Sequence, residues 1–260
     1  MVPVFQKTLW AFIWLLMQIL QLLDIYAWNM NFQIMKKSKQ QTKKDWMLRK
    51  GIIRGLIVLC VVYAMVMMWH WTIGFTFFTQ LSNLFVGIVV ALQLAMPEHP
   101  FLRLKYMATV SILVTFLIYL SVLAPLGAGG FLASYLSDHG ASLCMHLLVP
   151  GLTVADFLLH DRGDRLEDRD VALSILPPLV WFLLILLLGQ SGVSWFGMSA
   201  PYLFLNYSAP AGWFGFMPET AGRTTLGIGV AYALAVLILL ILLLGKGLLM
   251  AAGWVRRRRS

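Results

Sequence analysis

The stretch that decides the fold is GIIRGLIVLCVVYAMVMMWHWTIGFTFFTQLSNLFVGIVVALQLAM, residues 51–96. It holds two apolar runs, 51–72 and 76–96, parted by barely a turn, and Arg54 is its one formally charged residue. A bilayer core about 30 Å thick takes roughly 20 apolar residues of helix, so each run is long enough to cross. Working outward, four more runs meet the same test, at 106–126, 141–160, 171–190 and 225–245. An earlier run from Leu9 to Trp28 is also long enough but carries Gln18, Gln21 and Asp24. It reads as a seventh span, an interfacial helix or an uncleaved signal anchor. No small-residue cleavage site follows it, which argues against a removed signal peptide.

Composition agrees with these spans. Of the 260 residues, 60% are apolar and 12% charged, and the mean hydropathy is +0.81. Globular chains average about 45–50% apolar and about 25% charged, so this one cannot coat a water-facing surface. Disorder is excluded by the same numbers. Two cysteines, Cys60 and Cys144, make no disulfide framework. The expected fold is all-α: a polytopic membrane helix bundle of six core transmembrane helices with a possible N-terminal extra helix. Its expected divisions are an apolar helix and basic linker over 1–50, the bundle over 51–250, and a basic tail over 251–260.

The net charge of +9 would suggest nucleic acid in a soluble protein. Here the basic residues fall between spans. When the gaps are numbered alternately, 18 of the 20 Lys and Arg residues lie in one set; Arg223 lies in the other and Lys7 outside the test. That is the positive-inside pattern, so the basic side, including the C-terminus, is expected to be cytoplasmic. Anionic lipid headgroups are the partner expected there, and no nucleic acid. The opposite gap at 191–224 is rich in aromatics, Gly and Pro. It reads either as an aromatic belt at the interface or as a lid packed over the ends of the spans.

Polar groups inside spans cost free energy and usually face the bundle interior. In the second span, Thr79, Ser82, Asn83 and Val86 share a face by i, i+3, i+4, i+7 spacing. In the fourth, His146, Pro150, Thr153 and Asp156 fall on one line, and in the third Ser111, Thr115 and Tyr119 do. Interhelical hydrogen bonding accounts for Ser111, Thr115 and Thr153, and a kink for Pro150. Asp156 reads as an interfacial group or a partner for a basic residue of the following loop. His146 reads equally as a packing residue or a functional one. At ~1.5 Å per residue, Thr79 and His146 come out at one depth, roughly 4–8 Å below the non-basic boundary. A hydroxyl beside an imidazole is the minimum for nucleophilic catalysis, and Asn83 one turn deeper could donate to an oxyanion.

At these residues the sequence resembles a known family. FFTQLSNLFVG (77–87) is similar to the aromatic-Phe-Thr-x-x-Ser-Asn signature of the androgen-induced protein family, whose members include the androgen-dependent regulator of tissue factor pathway inhibitor and bacterial relatives. HLLVPGLTVADFLL (146–159), PYLFLN (201–206) and ATVSILVTFLIY (108–119) resemble three further segments, in order, so the likeness covers about 51–245. Asn206 stands where the family usually has Asp, and Phe157 where it often has Trp. The resemblance implies a multi-span hydrolase of fatty-acyl esters with Thr79 as nucleophile and His146 as base. Ser82, Asn83, Thr115, Tyr202 and Asn206 would then bind substrate or oxyanion, the partner would be a membrane lipid or lipid-like ester, and no cofactor is expected.

Three other readings stand beside it. A non-catalytic scaffold or small-solute carrier is supported by the lack of a strong catalytic signature and by the basic 36–50 stretch, which could bind anionic headgroups or a cytoplasmic partner. Acyl transfer through Cys144 suffers because residues i and i+2 of a helix point apart. A metal site at His70, Asp138, His139 and His146 lacks the close, regular spacing of known sites.

Overall fold

A computed structural model describes residues 39–69, 72–99, 101–126, 130–161 and 166–258. The run at 9–28 and the start of the basic linker lie outside the described residues. Among the described residues the architecture is an α-helical bundle with six helices long and apolar enough to cross a membrane, and the chain is a multi-pass membrane protein.

Helix α1 is Lys39–Met67, so the basic stretch is helical from Lys39. A 3-10 turn, Thr72–Thr76, leads into α2, Phe78–Ala95. Pro97 follows the end of α2 closely and forbids the helix to continue. Helix α3, Leu102–Ile118, runs on through a π-turn, Tyr119–Leu123, and a last α-turn, Ala124–Leu126. A short α4, Gly130–Leu136, precedes a 3-10 turn at Asp138–Gly140. The fourth span then climbs through an α-turn, Ala141–Leu143, and a second π-turn, Cys144–Leu148, into α5, Val149–His160. A 3-10 segment, Asp168–Ile175, feeds α6, Leu176–Gln190, with Pro177 and Pro178 in the first turn where their missing N–H groups cost nothing. The last span is α7, Val230–Arg257.

The two π-turns have one cause. Pro125 and Pro150 each follow one closely. A proline inside a helix cannot donate to the carbonyl four residues back and pushes against it. The chain takes one wider turn before each proline, the usual form of such a defect. The sequence reading of Pro150 as a kink thus becomes a local widening.

Close approaches set the packing. A Cβ at Gly87 of α2 would sit 2.8 Å from Val61 Cγ1 of α1. A Cβ at Gly245 of α7 would sit 2.5 Å from the Tyr106 hydroxyl of α3. Both glycines make room for a side chain of the neighbouring helix. The outward faces of α1, α6 and α7 stay apolar and exposed, as at Leu59, Val180 and Val236; this is the surface lipid covers.

At the basic end the helices are joined by buried charge. Asp156 of α5 accepts from Arg54 Nε of α1 at 3.1 Å, from Lys105 Nζ of α3 at 2.7 Å, and pairs with His160 Nδ1 at 3.0 Å. Arg54 also grips Asp161, and Gln93 of α2 donates to the same carboxylate at 3.2 Å. Arg54, Lys105 and Asp156 are all buried. Asp156 is therefore paired within the bundle, by helices that precede it; residues 162–165 of the following loop lie outside the described residues. His160, at the end of α5, is buried in the same cluster.

Candidate active site

Thr79 is the second residue of α2. Phe77 is extended just before it and caps the helix with no side-chain bond, which leaves the first N–H groups to seek partners elsewhere. Tyr202 supplies one. Its hydroxyl accepts from the Thr79 N–H at 3.3 Å and shares a hydrogen bond with Thr79 Oγ1 at 3.2 Å. Burial pushes the Tyr202 phenol above its ordinary value, against the lowering effect of the Thr79 hydrogen bonds. The phenol is thus held neutral, and either hydroxyl of the pair can donate to the other.

Tyr202 comes from 191–229, between α6 and α7. This segment folds over the ends of the spans. Trp195 and Leu205 are fully buried, with Tyr202 and Phe204 close behind. Trp195 Nε1 donates to Thr76 Oγ1 at 2.6 Å and Trp181 Nε1 to the Thr76 carbonyl at 2.8 Å, so two indoles clamp the turn that aims Thr79. Phe214 and Phe216 remain exposed. The inner side of the segment packs over the ends of the spans, while its outer side presents exposed aromatic rings.

Asn206 makes the segment rigid. Its Oδ1 accepts from the Ser199 N–H at 3.1 Å, Ser199 Oγ at 2.9 Å and Ser208 Oγ at 2.8 Å, while Nδ2 donates to the Thr224 carbonyl at 2.8 Å. The side chain is spent on the loop that carries Tyr202 and does not line the cavity described next.

Below Thr79 lies a cavity of about 190 Å³. Its walls come from α2, α3, α6, α7 and the 202–205 turn, and are apolar apart from Thr79, Thr115 and Tyr202 at one end. Helices α6 and α7 both lean on α3 yet hardly touch each other. Two wall residues, Leu179 and Ile238, are 44% and 43% exposed, so the cavity opens sideways, toward the apolar surface of the bundle.

Ser82 Oγ donates to the Thr79 carbonyl at 3.0 Å and shares a bond with Thr115 Oγ1 at 2.8 Å. Asn83 Nδ2 donates to the Thr79 carbonyl at 2.8 Å and to the Met145 carbonyl at 3.3 Å. Both amide hydrogens are engaged, so Asn83 ties the two elements together in place of facing an oxyanion. His146, next to Met145, is buried and is not in the cavity wall. Its ring stacks on Tyr119 and its Nδ1 is enclosed with no hydrogen-bond partner. Helix α2 and the second π-turn are neighbours, as the shared depth required, but the resting hydroxyl of Thr79 is turned to Tyr202, not to His146.

The sequence reading placed Tyr119 on a face with Ser111 and Thr115 without giving it a role, and passed over Trp181 and Ser142. The two prolines were the available signal, since each marks a widened turn holding an aromatic or imidazole ring. Cys144 packs toward Cys60 of α1, away from the cavity lining. Among the described residues no group of three or more His, Cys, Asp or Glu could hold a metal; His70 lies outside them. Compared with family models, with curated proteins and with solved structures, the chain finds no match.

Proposed function

We propose that the chain is an integral membrane hydrolase that opens a fatty-acyl ester at outer-leaflet depth, with its C-terminus and basic end in the cytoplasm. One observation carries the reading: the Thr79 hydroxyl, held at a helix N-terminus by a neutral phenol, forms the polar end of an apolar cavity that opens to the side. An acyl chain entering between α6 and α7 lies against Leu237 and Phe182, with its ester carbonyl beside Thr79. The likeness of four motifs to the androgen-induced protein family supports the same chemistry.

In the proposed sequence Thr79 Oγ1 attacks the carbonyl carbon and its proton passes to His146. Catalytic hydrogen bonds are often loose at rest and tighten with substrate; here the transfer runs through a turn of the Thr79 side chain or one bridging water. The oxyanion is met by the Tyr202 hydroxyl and the first-turn N–H of α2, where the helix dipole favours negative charge. The intermediate collapses, the alcohol leaves with the proton from His146, and water repeats the steps on the acyl-threonine. Anionic headgroups at the basic flanks would seat the protein in the inner leaflet.

The test uses purified protein in lipid nanodiscs, a series of fluorogenic acyl esters and an acyl-directed covalent probe. Expected are turnover and a probe adduct on Thr79, both lost in Thr79→Ala and His146→Ala. Turnover that survives in both variants sinks the reading. The Thr79–Tyr202 pairing also favours a second reading, a binder of neutral lipids without turnover. That reading takes over if the wild type retains a stoichiometric neutral ester intact.

A further inference from the structure

His146 has an unusual setting. It lies within the second π-turn, and Tyr119 opens the first. The two rings are parallel to within 9° with centroids 3.5 Å apart, closer than the offset or edge-on pairs aromatic rings usually form. The contact joins the two π-turns, and Tyr119 is itself held on its remaining sides. Its hydroxyl donates to the Ser134 carbonyl at 2.6 Å and shares a bond with Ser142 Oγ at 2.8 Å, while Tyr135 packs edge-on at 5.0 Å.

The approach to His146 is fixed as well. Asp138, His139 and Gly140 take three successive left-handed conformations, with φ of 53°, 55° and 84°. Non-glycine residues hold such angles where surroundings over-determine them, often beside functional sites. Tyr63 of α1 pins this turn by donating to the His139 carbonyl at 2.6 Å. The first π-turn also has a second face, since Ile118 before it and Leu123 at its end belong to the cavity wall. One widened turn therefore touches the cavity on one side and the imidazole on the other.

We propose that Tyr119 is the positioning residue for His146. It fixes the plane of the imidazole, so that with Nδ1 enclosed, Nε2 is the nitrogen left to accept a proton. This rests on the reading of His146 as the base. Ser142 acts one step further out, by fixing the Tyr119 hydroxyl. A ring already ordered before substrate arrives has no rotational freedom to lose during proton transfer, and small misplacements of such groups cost up to about 100-fold in rate.

The experiment uses the full chain in nanodiscs and two readouts. One is carbethoxylation of His146 by diethyl pyrocarbonate, mapped by peptide mass spectrometry; the other is kcat and KM on a fluorogenic acyl ester. Tyr119→Leu removes the stack. It should raise labelling of His146 and lower kcat roughly 10- to 100-fold with KM nearly unchanged. Tyr119→Phe keeps the ring and loses the hydroxyl bonds, and should rescue most of the kcat with a small rise in labelling. Ser142→Ala should match Tyr119→Phe. Unchanged labelling in Tyr119→Leu overturns the proposal, as does a Phe variant as slow as the Leu variant. If Tyr119→Leu does not fold, labelling in Tyr119→Phe and Ser142→Ala decides, and no rise in either overturns it. If no ester is turned over by the wild type but Tyr119→Leu still exposes His146, the positioning stands and the hydrolase reading falls.

Discussion

Asp156→Asn is the most informative single change at the basic end of the bundle. The carboxylate faces Lys105 Nζ at 2.7 Å and Arg54 Nε at 3.1 Å, and none of the three side chains is more than 3% exposed. In the native cluster two cations meet two carboxylates, those of Asp156 and Asp161. Asparagine keeps the shape but leaves two cations with one anion. Breaking a buried pair in this way costs about 3–5 kcal/mol, because a charge is stranded out of water. At roughly 2–4 °C per kcal/mol for a chain of this size, the melting temperature should fall by about 6–20 °C. The assay is thermal unfolding in mild detergent with a thiol-reactive dye, for which the free Cys60 and Cys144 are built-in reporters. Adding Lys105→Met restores one cation to one anion, so the double variant should regain most of the loss. A single variant that melts within a couple of degrees of wild type refutes the reasoning. So does a double variant whose loss is the sum of the singles.

Three further outcomes are expected. Gly245→Ala pushes a Cβ to 2.5 Å from the Tyr106 hydroxyl and should cost about 1–3 kcal/mol by overpacking. Tyr106→Phe should relieve it in a melting experiment, since that buried hydroxyl has no partner to lose. Leu237→Trp fills the cavity. A void of about 150 Å³ holds a benzene, so the 190 Å³ here takes a chain of roughly eight carbons; octanoyl-ester turnover should collapse while acetyl-ester turnover survives, and equal losses would count against the cavity as acyl site. The raised Tyr202 phenol contributes stability that is whole below the unfolded value of about 10 and is lost as pH rises past it. Alkaline melting curves of wild type and Tyr202→Phe should therefore converge with rising pH, and a constant difference would contradict that sign.

The spans were legible because hydropathy over twenty residues is a property of the chain alone. Their ends were less so. The last span was expected from 225 but begins at Val230, because 225–229 is spent on turns: Gly227 takes a φ of 72°, and a Cβ at Gly229 would strike the Trp213 carbonyl at 2.5 Å. Helical spacing put Thr79 and His146 at one depth, and Asn83 does join the carbonyls of Thr79 and Met145. Spacing carries no information on how far each helix is rotated about its axis. That rotation sends Thr79 to Tyr202 and His146 to Tyr119. Asn206 looked like a pocket residue because of its motif; its role in bracing the loop depends on Ser199, Ser208 and Thr224, which no local pattern links.

The buried charge cluster also constrains how the protein is made. Domains and segments emerge from synthesis N-terminal end first, so Arg54 and Lys105 enter the membrane before Asp156 exists. Until then their long side chains can reach back to the aqueous boundary, and each helix is tolerable alone. Asp156 has a short side chain and no such escape. In the folded bundle its charge is met only with α1 and α3 beside it, through Arg54 and Lys105. A chain that reaches Asp156 with those helices misplaced leaves that carboxylate without Arg54 and Lys105, the cations that pair with it in the folded bundle.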